Sequence, residues 1–132
     1  MFLDASAILA IVAREPDQAE LSDKVARAAT PMTSAIAAWE AVVGLMKKKQ
    51  GMRAQDARTE ISRFLEAAEV QFVEIGEAER EAALDAFDRF GKGGHPARLN
   101  MGDCFAYACA KTHGVPLLFK GDDFGKTDIL IA

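Results

Sequence analysis

Apolar positions along this chain recur at two different spacings, and the switches between them mark its elements. The opening Met1-Phe2-Leu3 is a continuous apolar run ending at Asp4, which reads as a short buried strand over residues 1–4. From Ala5 to about Ala13 the residues are small or branched and apolar, predicting a helix that Glu15-Pro16-Asp17 must break. A second helix is expected from Asp17 to about Ala29, with Ala19, Leu21, Val25 and Ala28 as a thin apolar face. Thr30-Pro31-Met32-Thr33 reads as a brief extended segment. Ser34 is suited to cap a third helix from Ala35 to Lys49, which Gly51 ends.

The second half continues the alternation, with no internal repeat. A helical period runs from Gln55 to Ala68 through Ala57, Ile61, Phe64 and Leu65, and Val70 to Ile75 reads as a strand. Glu77 to Phe90 is amphipathic, and Gly91 to Leu99, with its glycines and a proline, is a loop. Asn100 is placed to cap a helix reaching His113, where Gly114 stops it. Val115 to Phe119 is the next strand, and Ile129-Leu130-Ile131 a plausible last one. Strands alternating with helices predict an α/β fold, a three-layer sandwich with a mostly parallel central sheet flanked by helices. In such sheets, sites form outside the carboxyl ends of the strands.

Size and composition narrow the field. The 132 residues suit a single domain spanning 1–132, half of them hydrophobic, with enough core to fold without disulfides. Apolar runs fall far short of the roughly 20 residues that span a bilayer, and no basic region with an apolar signal core opens the chain, so the expected location is the cytoplasm. Cys104 and Cys109 lie five apart with no CxxC and no histidine at ligand spacing, and read as buried small hydrophobes. The net charge of −4 argues against a non-specific nucleic-acid coat. Two basic stretches cut across it, Lys47–Lys49 with Arg53 and Arg58, and Arg89, Lys92, His95 and Arg98.

The chemistry is carried by acids in unexpected places. Asp4 ends a strand, Asp103 opens a helix of otherwise apolar character, and Asp122-Asp123 follow the run Val115 to Phe119. Each has a structural alternative: a helix cap for Asp4, a capping box with Asn100 for Asp103, a turn for the aspartate pair. Glu40 has none nearby, because Ile36, Val43 and Gly44 surround it at helical spacing. A carboxylate facing a core is costly unless it is paired, hydrogen-bonded or bound to a metal. Together the acids suggest a hard oxygen site for Mg²⁺, with Mn²⁺ as a substitute, suited to phosphodiester hydrolysis. No GxxxxGK[ST] and no GxSxG occurs, and His95 and His113 lack a nucleophile beside them, His113 reading as a helix-end cation. Arg89, Lys92, His95 and Arg98 lead into the Asp103 helix and are expected to line the substrate path with phosphate contacts, whereas Lys47–Lys49 read as a helix C-terminal cation cluster.

Four blocks carry a resemblance: Met1–Ala7, Thr33-Ser34 with Glu40, Leu99–Ala108 around Asp103, and Leu117–Phe124. In order and spacing they resemble PIN-domain ribonucleases of the VapC toxin type, across essentially the whole chain. That resemblance implies a metal-dependent endoribonuclease, the toxin of a toxin–antitoxin pair, commonly a homodimer, covered by a small VapB-like antitoxin. It implies Asp4, Glu40 and Asp103 as the first three acids of a catalytic and metal-binding quartet. Asp122 and Asp123 compete for the fourth place, with Asp122 favoured. Ser6 and Ser34 match small polar positions beside the first two acids and would orient carboxylates or water. The alternatives are a non-catalytic PIN-like module acting through a protein partner, and a metal-dependent DNA nuclease or phosphatase.

Overall fold

A computed structural model describes residues 1–132. Four short strands, β1 (Phe2–Leu3), β2 (Met32–Ser34), β3 (Gln71–Val73) and β4 (Leu117–Leu118), form one sheet in the order β3-β2-β1-β4. All the pairings are parallel, with Phe2 opposite both Met32 and Leu117, and Thr33 opposite Phe72. Parallel neighbours need crossovers, and each is a pair of helices. They are α1 (Ala5–Val12) with α2 (Gln18–Arg27), α3 (Ala35–Lys48) with α4 (Ala54–Ala67), and α5 (Glu77–Phe90) with α6 (Met101–Thr112). The expected α/β sandwich is therefore present, its sheet wholly parallel.

The period-two pleat separates two cores. Phe2 and Leu117 face the α5–α6 layer, where Ala86, Phe90, Tyr107 and Cys109 are buried. Leu3 and Leu118, one residue further along each strand, face α1–α4 and pack with Ile8, Leu45, Ile61 and Leu65. Gly44 lets α1 and α3 close up, since a β-carbon there would press on the Leu9 side chain. Cys104 and Cys109 are buried and unbonded to each other, as expected of small hydrophobes. Burial first, then nearby acids, raises their thiol pKa values to about 11 and about 12. No helix is long and apolar enough to cross a membrane.

The last strand needs correcting. Of Ile129-Leu130-Ile131, only Ile131 makes a parallel bridge, to Leu117, while Leu130 and Ile131 are exposed. A ladder cannot lengthen on that edge, because Pro116 has no N–H to offer and β4 is two residues long. Two backbone bonds to Leu117, from its N–H to the Leu130 carbonyl at 2.8 Å and from the Ala132 N–H to its carbonyl at 3.1 Å, hold the tail together with side chains. Asp128 accepts from the Tyr107 hydroxyl at 2.5 Å and from Arg89 at 2.7 Å, with Lys111 3.7 Å away. Arg89, expected on an RNA path, is thus committed to the tail.

The Tyr107 hydroxyl and the Arg89 guanidinium hold the Asp128 carboxyl down at about 2. Their contribution to stability is complete above the ordinary aspartate range and is lost as pH falls from about 4 toward 2. Tyr107→Phe is expected to cost about 1 kcal/mol in urea unfolding near neutral pH, since it removes one hydrogen bond from a half-exposed Asp128 that Arg89 still pairs. It should flatten the acid limb of stability below pH 4.

Candidate active site

Near the carboxyl edge of the sheet, Asp4, Glu40, Asp103 and Asp123 come within electrostatic reach of one another. Asp4 follows β1 and is the N-cap of α1, accepting hydrogen bonds from the Ser6 N–H at 2.9 Å and from the Ser6 hydroxyl. It is almost wholly buried, and burial raises its pKa against the opposing pull of the Ser6 bonds. Ser6 does a second thing: its oxygen accepts the Lys120 N–H at 3.0 Å. One hydroxyl therefore clamps the first acid and the loop that follows β4.

Ser34 ends β2 and starts α3, its hydroxyl accepting from the Ala37 N–H at 3.2 Å. That bond makes it a helix cap. Its contribution to the site runs through the helix it starts, and Glu40 projects from that helix. Beside it, the buried Thr33 hydroxyl donates to the Leu3 carbonyl at 2.9 Å and ties β2 to β1 at the same edge.

Asp103 lies in the first turn of α6. It closes a capping box: the Asn100 side chain accepts from the Asp103 N–H at 3.0 Å, and the Asp103 carboxylate accepts from the Asn100 N–H at 2.9 Å. The capping roles open to Asp4 and Asp103 are thus both realised in the fold, and neither cap excludes a second role. A capping carboxylate uses one oxygen and leaves the other free.

Electrostatics join these positions. Burial, then the charges of Asp4 and Asp103, lift Glu40 to about 7. Burial lifts Asp103 to about 6 despite its Asn100 bond, with Asp4 and Asp123 adding to the rise. No lysine, arginine or histidine forms an ion pair with Asp4, Glu40, Asp103, Asp122 or Asp123. Even Lys120, close in sequence to the aspartate pair, spends its ammonium on Glu15 and Asp17. Of the pair, Asp123 is the one whose charge bears on Asp103. No three acids form a ready-made ligand set for one ion in this conformation. The donors still suit a hard divalent cation: all are carboxylates, the charges of Asp4 and Asp103 bear on Glu40, and no protein cation pairs with them.

The expected basic path is smaller than the sequence suggested. His95 is half-buried, its Nδ1 accepting from the Ala97 N–H at 3.1 Å and its ring set edge-on to Phe90 at 5.2 Å. It braces the 91–99 loop, whose neck is closed by the Gly91–Leu99 bridge. Lys92 and Arg98 remain exposed without ion pairs, and Lys126, which the sequence did not single out, reaches the Pro96 carbonyl at 3.5 Å. Lys47–Lys49 sit at the end of α3, where Lys48 pairs with Glu15 and Lys49 with Glu60. His113 caps α6 with its ring 2.9 Å from the Cys109 carbonyl.

Comparison with known proteins is decisive for kinship. The PIN-domain family description matches residues 1–130. A VapC ribonuclease of Rhizobium meliloti is 39% identical, covering 97% of this chain and 98% of its own length. The ribonuclease VapC of Mycolicibacterium smegmatis is 38% identical over 98% and 97% respectively. The chain belongs to the VapC ribonucleases of the PIN-domain family. Among solved structures, this PIN domain resembles VapC20 of Mycobacterium tuberculosis, a toxin cleaving the sarcin–ricin loop, with TM-score 0.75 at 16% identity over 99% and 97% of the two chains. It also resembles a chain of VapBC2 from Rickettsia felis bound to promoter DNA, with TM-score 0.73 at 15% identity over 98% and 94%. At those identities the structural likeness speaks for the fold.

The raised acids predict a distinctive pH response of the metal-free PIN domain. Between the ordinary carboxyl range and pH 7, the folded chain holds protons at Glu40 and Asp103 that the unfolded chain has released. Stability at these two groups therefore falls as pH rises from about 4 to 7. In the presence of a chelator, Glu40→Gln is expected to flatten the decline in thermal midpoint between pH 5 and 7.

Proposed function

We propose that this chain is an endoribonuclease that hydrolyses RNA phosphodiester bonds as the toxin of a toxin–antitoxin pair. The observation that carries the reading is that burial and the neighbouring acids raise both Glu40 and Asp103 beside buried Asp4, with no protein cation paired to any of them. Unneutralised carboxylates meeting at the carboxyl edge of a parallel sheet make a place for a divalent metal and a phosphate. Asp4, Glu40, Asp103 and Asp123 would hold Mg²⁺ or Mn²⁺, with Asp122 as the neighbouring comparison. When bound, such an ion lowers the pKa of water and offsets phosphate charge.

The chain's own groups prepare the site. The Ser6 hydroxyl fixes one Asp4 oxygen and leaves the other toward the cluster. The Asn100 box fixes Asp103 at the N-terminus of α6. Lys92, Arg98 and Lys126 are proposed to hold RNA phosphates beside the acids, positioning the strand without reading its sequence. The related VapC ribonucleases, and solved relatives such as the toxin–antitoxin complex from Klebsiella pneumoniae, support an RNA substrate and an antitoxin partner here. Exposed Leu84, Phe87 and Met101 on α5 and α6 support a homodimer. A single nuclease domain over 1–132, acting in the cytoplasm, completes the proposal.

Asp4→Asn and Asp103→Asn are the informative substitutions, because asparagine keeps each helix cap. Both are expected to fold normally and to lose Mg²⁺-dependent RNA cleavage by more than about a hundredfold. Asp123→Asn should resemble them, and Asp122→Asn should retain most activity. Wild-type activity in the Asp4 and Asp103 variants would place the chemistry outside these acids, and no cleavage by the wild-type chain itself would leave a partner-binding module. Cleavage of DNA in preference to RNA would point to a DNA nuclease.

Ser6→Ala is expected to lower cleavage about tenfold by freeing the Asp4 carboxylate, checked by single-turnover assays. Arg98→Glu should weaken RNA binding with a smaller salt dependence, measured by titration of labelled RNA at several ionic strengths.

A further inference from the structure

We propose that Gly102 is the positioning residue for Glu40: the bare backbone at 102 is the seat on which the Glu40 carboxylate rests. Glu40 leaves the middle of α3 and makes no hydrogen bond or ion pair that would hold its carboxylate in place. Shape confines it instead. A β-carbon built at position 102 would overlap both carboxylate oxygens and the carbon between them, well inside the 3.0 Å that real β-carbons keep, and these are the nearest atoms it would meet.

Two facts remove the usual reasons for a glycine here. Its backbone is not in the left-handed region, unlike Gly51, Gly93, Gly114 and Gly121, so any residue could adopt its conformation. It lies in the first turn of α6, where glycine is a weaker helix former than alanine. Gly102 is buried between exposed Met101 and half-buried Asp103. What its missing side chain admits is Glu40. The acid from α3 is thereby brought against the helix turn that carries Asp103, which accounts for the charge of Asp103 acting on Glu40.

Gly102→Ala would force Glu40 to turn aside. Because the obstructed atoms are the far end of a flexible side chain, the fold gives way there at little cost, and the acid cluster loses one member. The consequence for metal and RNA rests on the proposed nuclease activity, whereas the seat itself does not.

The test is a double-mutant cycle of wild type, Gly102→Ala, Glu40→Ala and the pair. It is read by thermal unfolding in chelator, Mn²⁺ binding by calorimetry, RNA cleavage and the crystal structure of the Gly102→Ala chain. The Gly102→Ala chain is expected to unfold at or above the wild-type midpoint, to show Glu40 rotated away, and to bind Mn²⁺ at least about tenfold more weakly. In the Glu40→Ala background the same substitution should cause no further loss of Mn²⁺ binding or cleavage. Glu40 found unmoved in the Gly102→Ala crystal structure, wild-type Mn²⁺ binding in that variant, or an equal loss in the Glu40→Ala background would each overturn the proposal. A wild-type chain that takes up no Mn²⁺ while Gly102→Ala still displaces Glu40 supports the seat and sinks the metal-dependent reading.

Discussion

Burial of carboxylates that no protein cation neutralises, sharpened by repulsion among them, is the constraint around which this molecule is arranged. Asp4, Glu40 and Asp103 come from the end of β1, from α3 and from α6, three parts of the chain with nothing in common but the edge they share. Bringing such groups together out of water raises the pKa of each and costs stability at neutral pH. A fold selected for stability alone would place an arginine among them or separate them. The chain has spare cations at its surface, and none is spent here.

The acids are held by devices that also build the fold. The Asp4 carboxylate starts α1, and Ser6 links it to the loop after β4. Asp103 closes the box that starts α6. Helix initiation and charge clustering use the same side chains, so the site is as rigid as the helix ends it grows from. Glu40 differs, being mid-helix and held by the absence of a side chain at Gly102. An acid placed by a cavity rather than by bonds can adjust its reach when a cation and a phosphate arrive.

Around this edge the remaining polar groups are mostly committed to structure. Arg89 and Tyr107 tie down the tail through Asp128, His95 braces the 91–99 loop, and Lys120 spans Glu15 and Asp17. The exposed cations left near the Asp103 helix are Lys92, Arg98 and Lys126. That sparse basic rim beside an acidic centre is consistent with an acidic protein proposed to bind a polyanion: local charge, not net charge, meets the phosphates.

Periodicity and punctuation were enough to read the helices and the parallel α/β order from the chain. Glu77–Phe90 has the expected bounds, and Ser34 and Asn100 cap the helices they were expected to cap, because caps and apolar faces are local properties. The misplacement of Asp4, Glu40 and Asp103 was equally legible, since an acid on an apolar stripe shows itself in one dimension. Several matters depended on distance across the fold. The pairing of Arg89 with Asp128, the failure of residues 129–131 to extend a ladder, the charge of Asp123 bearing on Asp103, and the match of Gly102 to Glu40 all join residues far apart in sequence. Sequence determines which side chains resist burial. Only the packed chain decides which of them meet, because Coulomb repulsion and steric overlap act through space and not along the backbone.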